Sequence, residues 1–111
     1  MNAFNDIAIL KTKTGTSKNV NGFRTDTFTD TEAFCEIKSV TYAEFYSAYG
    51  VKLKVTKKIK IDVYDYEEAI KIIDGKKIKP SIVEIDGELF NIVRMYQVND
   101  IQCELSLAEI E

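Results

Sequence analysis

The chain has 111 residues, 45% of them hydrophobic and 30% charged, with a formal net charge of −3. A single domain of that length buries only about two-thirds of its unfolded surface, which excludes a multidomain enzyme and an eightfold β/α barrel. Histidine is absent, so no His-based relay or His-ligated metal site exists, and the acidic balance argues against a dedicated nucleic-acid binder.

No run approaches the roughly 18 apolar residues of a membrane span. The start, MNAFNDIAIL, lacks the basic opening and long apolar core of a secretory leader, so a cytosolic protein with no membrane association is expected. Cys35 and Cys103 lack a CxxC spacing and read as free thiols. Fourteen Ile, eight Val and nine Thr stand against seven Ala and five Leu, a mixture that favours strands over a helical bundle.

In chain order, residues 6–13 read as a first strand, with Ile7 to Leu10 apolar on both sides. The polar stretch 14–22 reads as a mobile loop ending in the hairpin signal Asn21-Gly22. Thr25, Thr27, Thr29 and Thr31 alternate along an exposed strand or hairpin arm. Residues 31–40 form the next strand, with Phe34 and Val40 on one face and Cys35 and Ile37 on the other. The clearest period is at 51–64, where Val51, Leu53, Val55, Ile59, Ile61 and Val63 take odd positions and lysines most even ones. Lys57 breaks the alternation and marks a bend.

After this strand the period changes. Tyr66, Ala69, Ile70 and Ile73 share a helical face, predicting a short helix near 66–74 that ends at Asp74-Gly75, with a Lys-rich loop over 74–81. Two strands then flank the Asp86-Gly87 turn. Ile101, Cys103, Leu105 and Leu107 alternate along a last strand. The fold class expected is all-β: one small antiparallel barrel or sandwich of five to six strands, with one short inserted helix.

Catalysis finds little footing. Asp62, Asp65, Glu67 and Glu68 could pair as acid and base or gather a cation, but carboxylates opening a helix also simply complement its dipole. No phosphate-cradling glycine loop or nucleophile elbow is present, and no cofactor is expected. Lys52, Lys54, Lys58 and Lys60 admit three readings: a solvated face that discourages edge pairing, a contact for an acidic partner, or a nucleic-acid track. Tyr42, Phe45, Tyr46 and Tyr49 have i, i+3, i+4, i+7 spacing, predicting a helical turn ended by Gly50. That aromatic stripe either closes the open end of the barrel or anchors a partner protein.

The run Phe34-Cys35-Glu36-Ile37-Lys38-Ser39-Val40, then Tyr42-x-Glu44-Phe45-Tyr46 and Gly50-Val51-Lys52, resembles the head-closure, or stopper, proteins of tailed phages. The hairpin Ile85-Asp86-Gly87-Glu88-Leu89-Phe90-Asn91-Ile92-Val93-Arg94-Met95-Tyr96 is similar to that family's second signature. The match covers roughly residues 31–64 and 82–107. Two departures are Leu53, where the family often has proline, and Glu67 to Pro80, an apparent insertion where a short turn is usual. The resemblance implies a virion protein assembled in the host cytoplasm, a small β-barrel without catalytic activity. It implies ring copies that join portal and adaptor proteins to the tail and help retain packaged DNA, and it leaves open whether the isolated subunit is a monomer. It places partner and channel contacts on Tyr42, Glu44, Phe45, Tyr46, Tyr49, Lys52 and Lys54. Opposed charge, Lys52, Lys54, Lys58 and Lys60 against Asp62, Asp65, Glu67 and Glu68, is then expected to help set register between neighbours or against the adaptor above. The alternative function is a small β-barrel that binds single-stranded nucleic acid, with aromatics stacking bases.

Overall fold

The computed structural model describes residues 6–18, 22, 24–48 and 51–109, without the side chains of 17, 18, 24, 39, 41–48 and 51–53. Its elements are β1 (Asp6–Lys18), β2 (Arg24–Ala48), β3 (Val51–Asp62), α1 (Val63–Ala69), β4 (Lys71–Ile73), β5 (Lys76–Ile78), β6 (Ile82–Ile85), β7 (Glu88–Gln97) and β8 (Gln102–Glu109). Six strands close into an antiparallel barrel in the order β1-β2-β3-β8-β7-β6, with β6 returning to β1 at Ile9↔Glu84, Leu10↔Val83 and Lys11↔Ile82. Strands β4 and β5 form a separate two-stranded sheet.

Alternation decides which side chains enter the barrel. Ala8, Leu10, Ala33, Cys35, Ile59, Ile61, Val83, Ile85, Phe90, Cys103, Leu105 and Leu107 form one buried cluster. Their strand neighbours face out, so Phe34 is 59% exposed beside a fully buried Cys35. Helix α1 lies across one end of the barrel, running from the end of β3 toward β1. It buries Tyr66 and Ala69 in the core, and the Thr12 hydroxyl donates to the Ala69 carbonyl. The Val63 amide donates to the Ile101 carbonyl at 2.8 Å, supplying an acceptor that the helix start needs and that the Asp62 side chain does not provide.

Strand β2 governs the shape. Twenty-five residues at about 3.3 Å each would span roughly 80 Å if straight, yet the longest dimension of the molecule is 50 Å. The strand therefore coils, helped by register breaks that add twist. Thr14 is an extra residue in β1 against β2, Thr56 in β3 against β8, and Val93 in β7 against β8. The largest break is in β2, where residues 40–43 stand opposite Thr56 alone.

Several expectations need correction. Residues 14–18 are not a loop: they continue β1, with Gly15 to Lys18 paired to Thr27 to Arg24. Residues 41–48 are not helical but continue β2. The helix starts three residues earlier than predicted and ends at Ala69, where the chain turns into β4. Asp74-Gly75 therefore closes the β4–β5 hairpin instead of ending a helix, and residues 76–78 of the predicted loop are strand. Asp74 and Gly75 have φ of 51° and 79°, and Asp86 and Gly87 have 51° and 82°. Both are two-residue turns with positive φ throughout, which match the twist of the strands they join. Ile101 is exposed, so the buried alternation of β8 begins at Cys103. The conformation expected of Gly50, and residues 19–21 of the predicted loop, lie outside the described residues.

Candidate functional site

The residues singled out in the sequence fall on a ribbon at one end of the barrel. Strand β3 pairs with β8 only from Val55 onward, whereas β2 follows β3 all the way to Val51. Beyond Val55 the two strands form a two-stranded ribbon with register Phe45↔Lys54, Tyr46↔Leu53, Ser47↔Lys52 and Ala48↔Val51. Tyr42 lies in the break that leads into it, and Glu44 pairs with Val55 at its root. The backbone therefore brings Glu44, Phe45 and Tyr46 of β2 and Lys52 and Lys54 of β3 together on one two-stranded ribbon. Lys54 is exposed; the other side chains of this set, and Tyr49 altogether, lie outside the described residues.

The root of the ribbon contains an unmet polar group. Thr56 Oγ1 is buried without a hydrogen-bond partner among the described residues. It lies at the position where β3 is out of step with both neighbours, next to a small cavity lined by Val40, Lys54, Val55 and Thr56. Lys57 follows immediately, and its break in the lysine alternation has a local cause. The extra residue brings Lys57 opposite Leu107, and its ammonium sits 5.0 Å from the Phe90 ring centroid, a cation–π contact.

The lysine face of β3 is largely matched within the molecule. Lys38, Lys58, Ser106 and Arg94 form one row across β2, β3, β8 and β7. The adjoining row is Glu36, Lys60, Glu104 and Tyr96. Glu104 accepts ion pairs from Lys38 at 3.5 Å and from Lys58 at 4.0 Å, and the Arg94 guanidinium lies 5.8 Å from the Tyr96 ring centroid. Lys60 is half-buried, opposite a glutamate on each side. Of the lysines expected to face a partner, Lys58 thus has its charge answered by Glu104, and Lys54 stands exposed. Arg94 and Tyr96 were not singled out as members of this face, because cross-strand rows become legible only with the register.

The acidic residues gather at the opposite end. Asp62, Glu67 and Asp100, with Tyr64 and Ile101, line an open groove of about 490 Å³. Asn99 shapes its rim, accepting from the Ile101 and Gln102 amides at 2.9 Å each. Among the described residues none of Asp62, Asp65, Glu67, Glu68 and Asp100 has an ion pair, and no three metal-ligating side chains converge. Burial, then the charges of Asp62 and Glu68, push the Asp65 carboxyl above its ordinary pKa.

The two thiols are buried on either side of Ile61, which pairs with Cys35 on β2 and with Cys103 on β8. Two strand spacings, about 9.6 Å, separate them, more than the roughly 7 Å that a disulfide bridges. Burial pushes both thiols up to about 11, with nearby carboxylates adding to it, first Asp6 for Cys35 and Asp62 for Cys103. Such thiols are poor nucleophiles.

Compared with known proteins, no family model matches the chain and no curated sequence matches it.

Proposed function

We propose that this protein is a structural subunit of a tailed-phage head–tail connector, of the head-closure kind, with no catalytic role of its own. The observation that carries the reading is the position of the Tyr42–Lys54 segment, the part that resembles the head-closure signature. The described parts of its backbone, 44–48 and 51–54, form a ribbon projecting past a closed barrel. A barrel with its hydrogen-bonding edges closed is a stable, self-contained unit. The sequence of the ribbon growing from it includes Phe45 and Tyr46, and aromatic anchors supply most of the energy at protein interfaces. The second signature also falls on one continuous hairpin, β6–β7, turned at Asp86-Gly87. The partners in this reading are portal and adaptor rings on one side and tail proteins on the other, with packaged DNA nearby and the site of action in the virion.

The test is binding to isolated portal–adaptor rings from the same phage, followed by electron microscopy and co-sedimentation. The parent chain adds a further ring of density. Replacing Phe45 and Tyr46 by Ala weakens binding by about tenfold or more at every salt concentration, while the melting temperature stays near that of the parent. Binding unaffected by the pair removes the ribbon from the interface.

A further inference from the structure

Two surfaces of this molecule carry charge that nothing within it answers, and they are of opposite sign. The first is the β4–β5 hairpin, where Lys76, Lys77 and Lys79 are exposed and have no ion pair among the described residues. Beside them Ile72 is 69% exposed, paired with Lys77 across the hairpin. The second is the groove at the start of α1, where Asp62, Glu67 and Asp100 surround Tyr64 and Ile101, exposed by 69% and 68%. Each surface is therefore an apolar centre rimmed by unpaired charge, one basic and one acidic.

Topology sets them apart. The groove is built where β3 ends and β8 begins, while the hairpin packs beside Lys13 to Thr16 of β1. In the closed order β1-β2-β3-β8-β7-β6, β1 and β8 are diametrically opposite. Helix α1 spans the barrel end between the two sides, and the Lys71 ammonium, donating to the Glu68 carbonyl at 2.8 Å, ties the hairpin to its last turn. The two surfaces therefore lie on different sides of the same barrel end.

We propose that the β4–β5 hairpin of one copy of this chain docks into the acidic α1 groove of a second copy. Ile72 then packs against Tyr64 and Ile101, and Lys77, which shares its face, meets Asp62, Glu67 and Asp100 together with Lys79; Lys76 lies on the face turned to β1. The contact joins two different surfaces, and a head-to-tail contact of this kind generates a ring when its rotation closes. This deepens the connector reading, on which it rests for the closed ring alone. The assembling charges are those of residues 62–79 and the β7–β8 turn, in place of the β3 lysines, of which Lys58 already pairs with Glu104.

The test is sedimentation velocity on the full chain at up to ~1 mM protein, with salt from ~20 to ~500 mM. The parent self-associates at low salt and dissociates as salt rises. A basic-side variant, Lys77→Gln with Lys79→Gln, weakens self-association at least about tenfold. An acidic-side variant, Asp62→Asn with Glu67→Gln and Asp100→Asn, does the same, and both keep the parent's circular dichroism. Mixed in equal amounts, the two variants form dimers and nothing larger, because only one native hairpin and one native groove remain to meet. A parent that stays monomeric throughout, a variant that associates like the parent, or a mixture that stays monomeric overturns the proposal. The two readings fail separately. Self-association of this pattern in a protein absent from virions leaves the contact standing and removes the connector. A virion protein whose mixed variants do not pair loses only this contact.

Discussion

Replacing Ile61 by Ala tests the register on which the barrel depends. Ile61 is fully buried near the C-terminal end of β3, between Cys35 and Cys103. Removing three carbons forfeits about 0.8 kcal/mol each, near 2.4 kcal/mol in all. A residual cavity of ~50 Å³ adds roughly 1.2 kcal/mol at 24 cal/mol per Å³. The expected loss is therefore about 3–4 kcal/mol, a large share of the roughly 5–15 kcal/mol by which such domains are stable. Urea unfolding followed by circular dichroism reads it directly. The same experiment on Phe34→Ala supplies the control, since Phe34 points outward and should cost no more than about 1 kcal/mol. A slip of one residue exchanges the two faces of a strand. Equal costs for the two variants, or a larger cost for Phe34→Ala, would refute the register described here.

Three further outcomes are expected. Stability falls as pH rises from 9 toward 11, because the thiols of Cys35 and Cys103 keep their protons in the folded state at pH values where the unfolded chain releases them. Each thiol contributes about 1.4 kcal/mol per pH unit across that window. Cys35→Ala with Cys103→Ala, melted in parallel at pH 8 and pH 10.5, should lose this slope while carrying its own packing cost. Thr56→Val, which removes the unpartnered buried hydroxyl, should raise stability by about 1 kcal/mol in chemical denaturation; a loss of that size would mean that the hydroxyl has a partner. Gly87→Ala should cost about 1 kcal/mol, since φ is +82° there and nothing crowds the site, so backbone strain alone acts; thermal melting measures it.

Where the hydrophobic period and a turn agreed, the fold was legible in the sequence. The alternation of Val55, Ile59 and Ile61, that of Cys103, Leu105 and Leu107, and the turn at Asp86-Gly87 all appear as read. Misreadings arose where local spacing suits two structures. Tyr42, Phe45, Tyr46 and Tyr49 match a helical face, but pairing with β3 holds residues 44–48 extended. Residues 14–18 are too polar to signal a strand, and they are one because they lie opposite Arg24 to Thr27. Asp74-Gly75 suits a helix end as well as a two-residue hairpin, and the short β5 decides in favour of the hairpin. The surface was less legible still. The charges of Lys38 and Lys58 are answered by Glu104, on a strand distant in sequence, and only the closed order of the barrel reveals that pairing.

The proposed place of this chain, in the connector between phage head and tail, can be read on the virion itself. Gold-labelled antibody against the folded protein, applied to purified virions opened at the head–tail joint and viewed by electron microscopy, tests it most directly. Label is expected at that joint, and is lost when the antibody is first absorbed with the purified chain. Virions that carry no label there, while antibody against the portal marks the same joint, would contradict it.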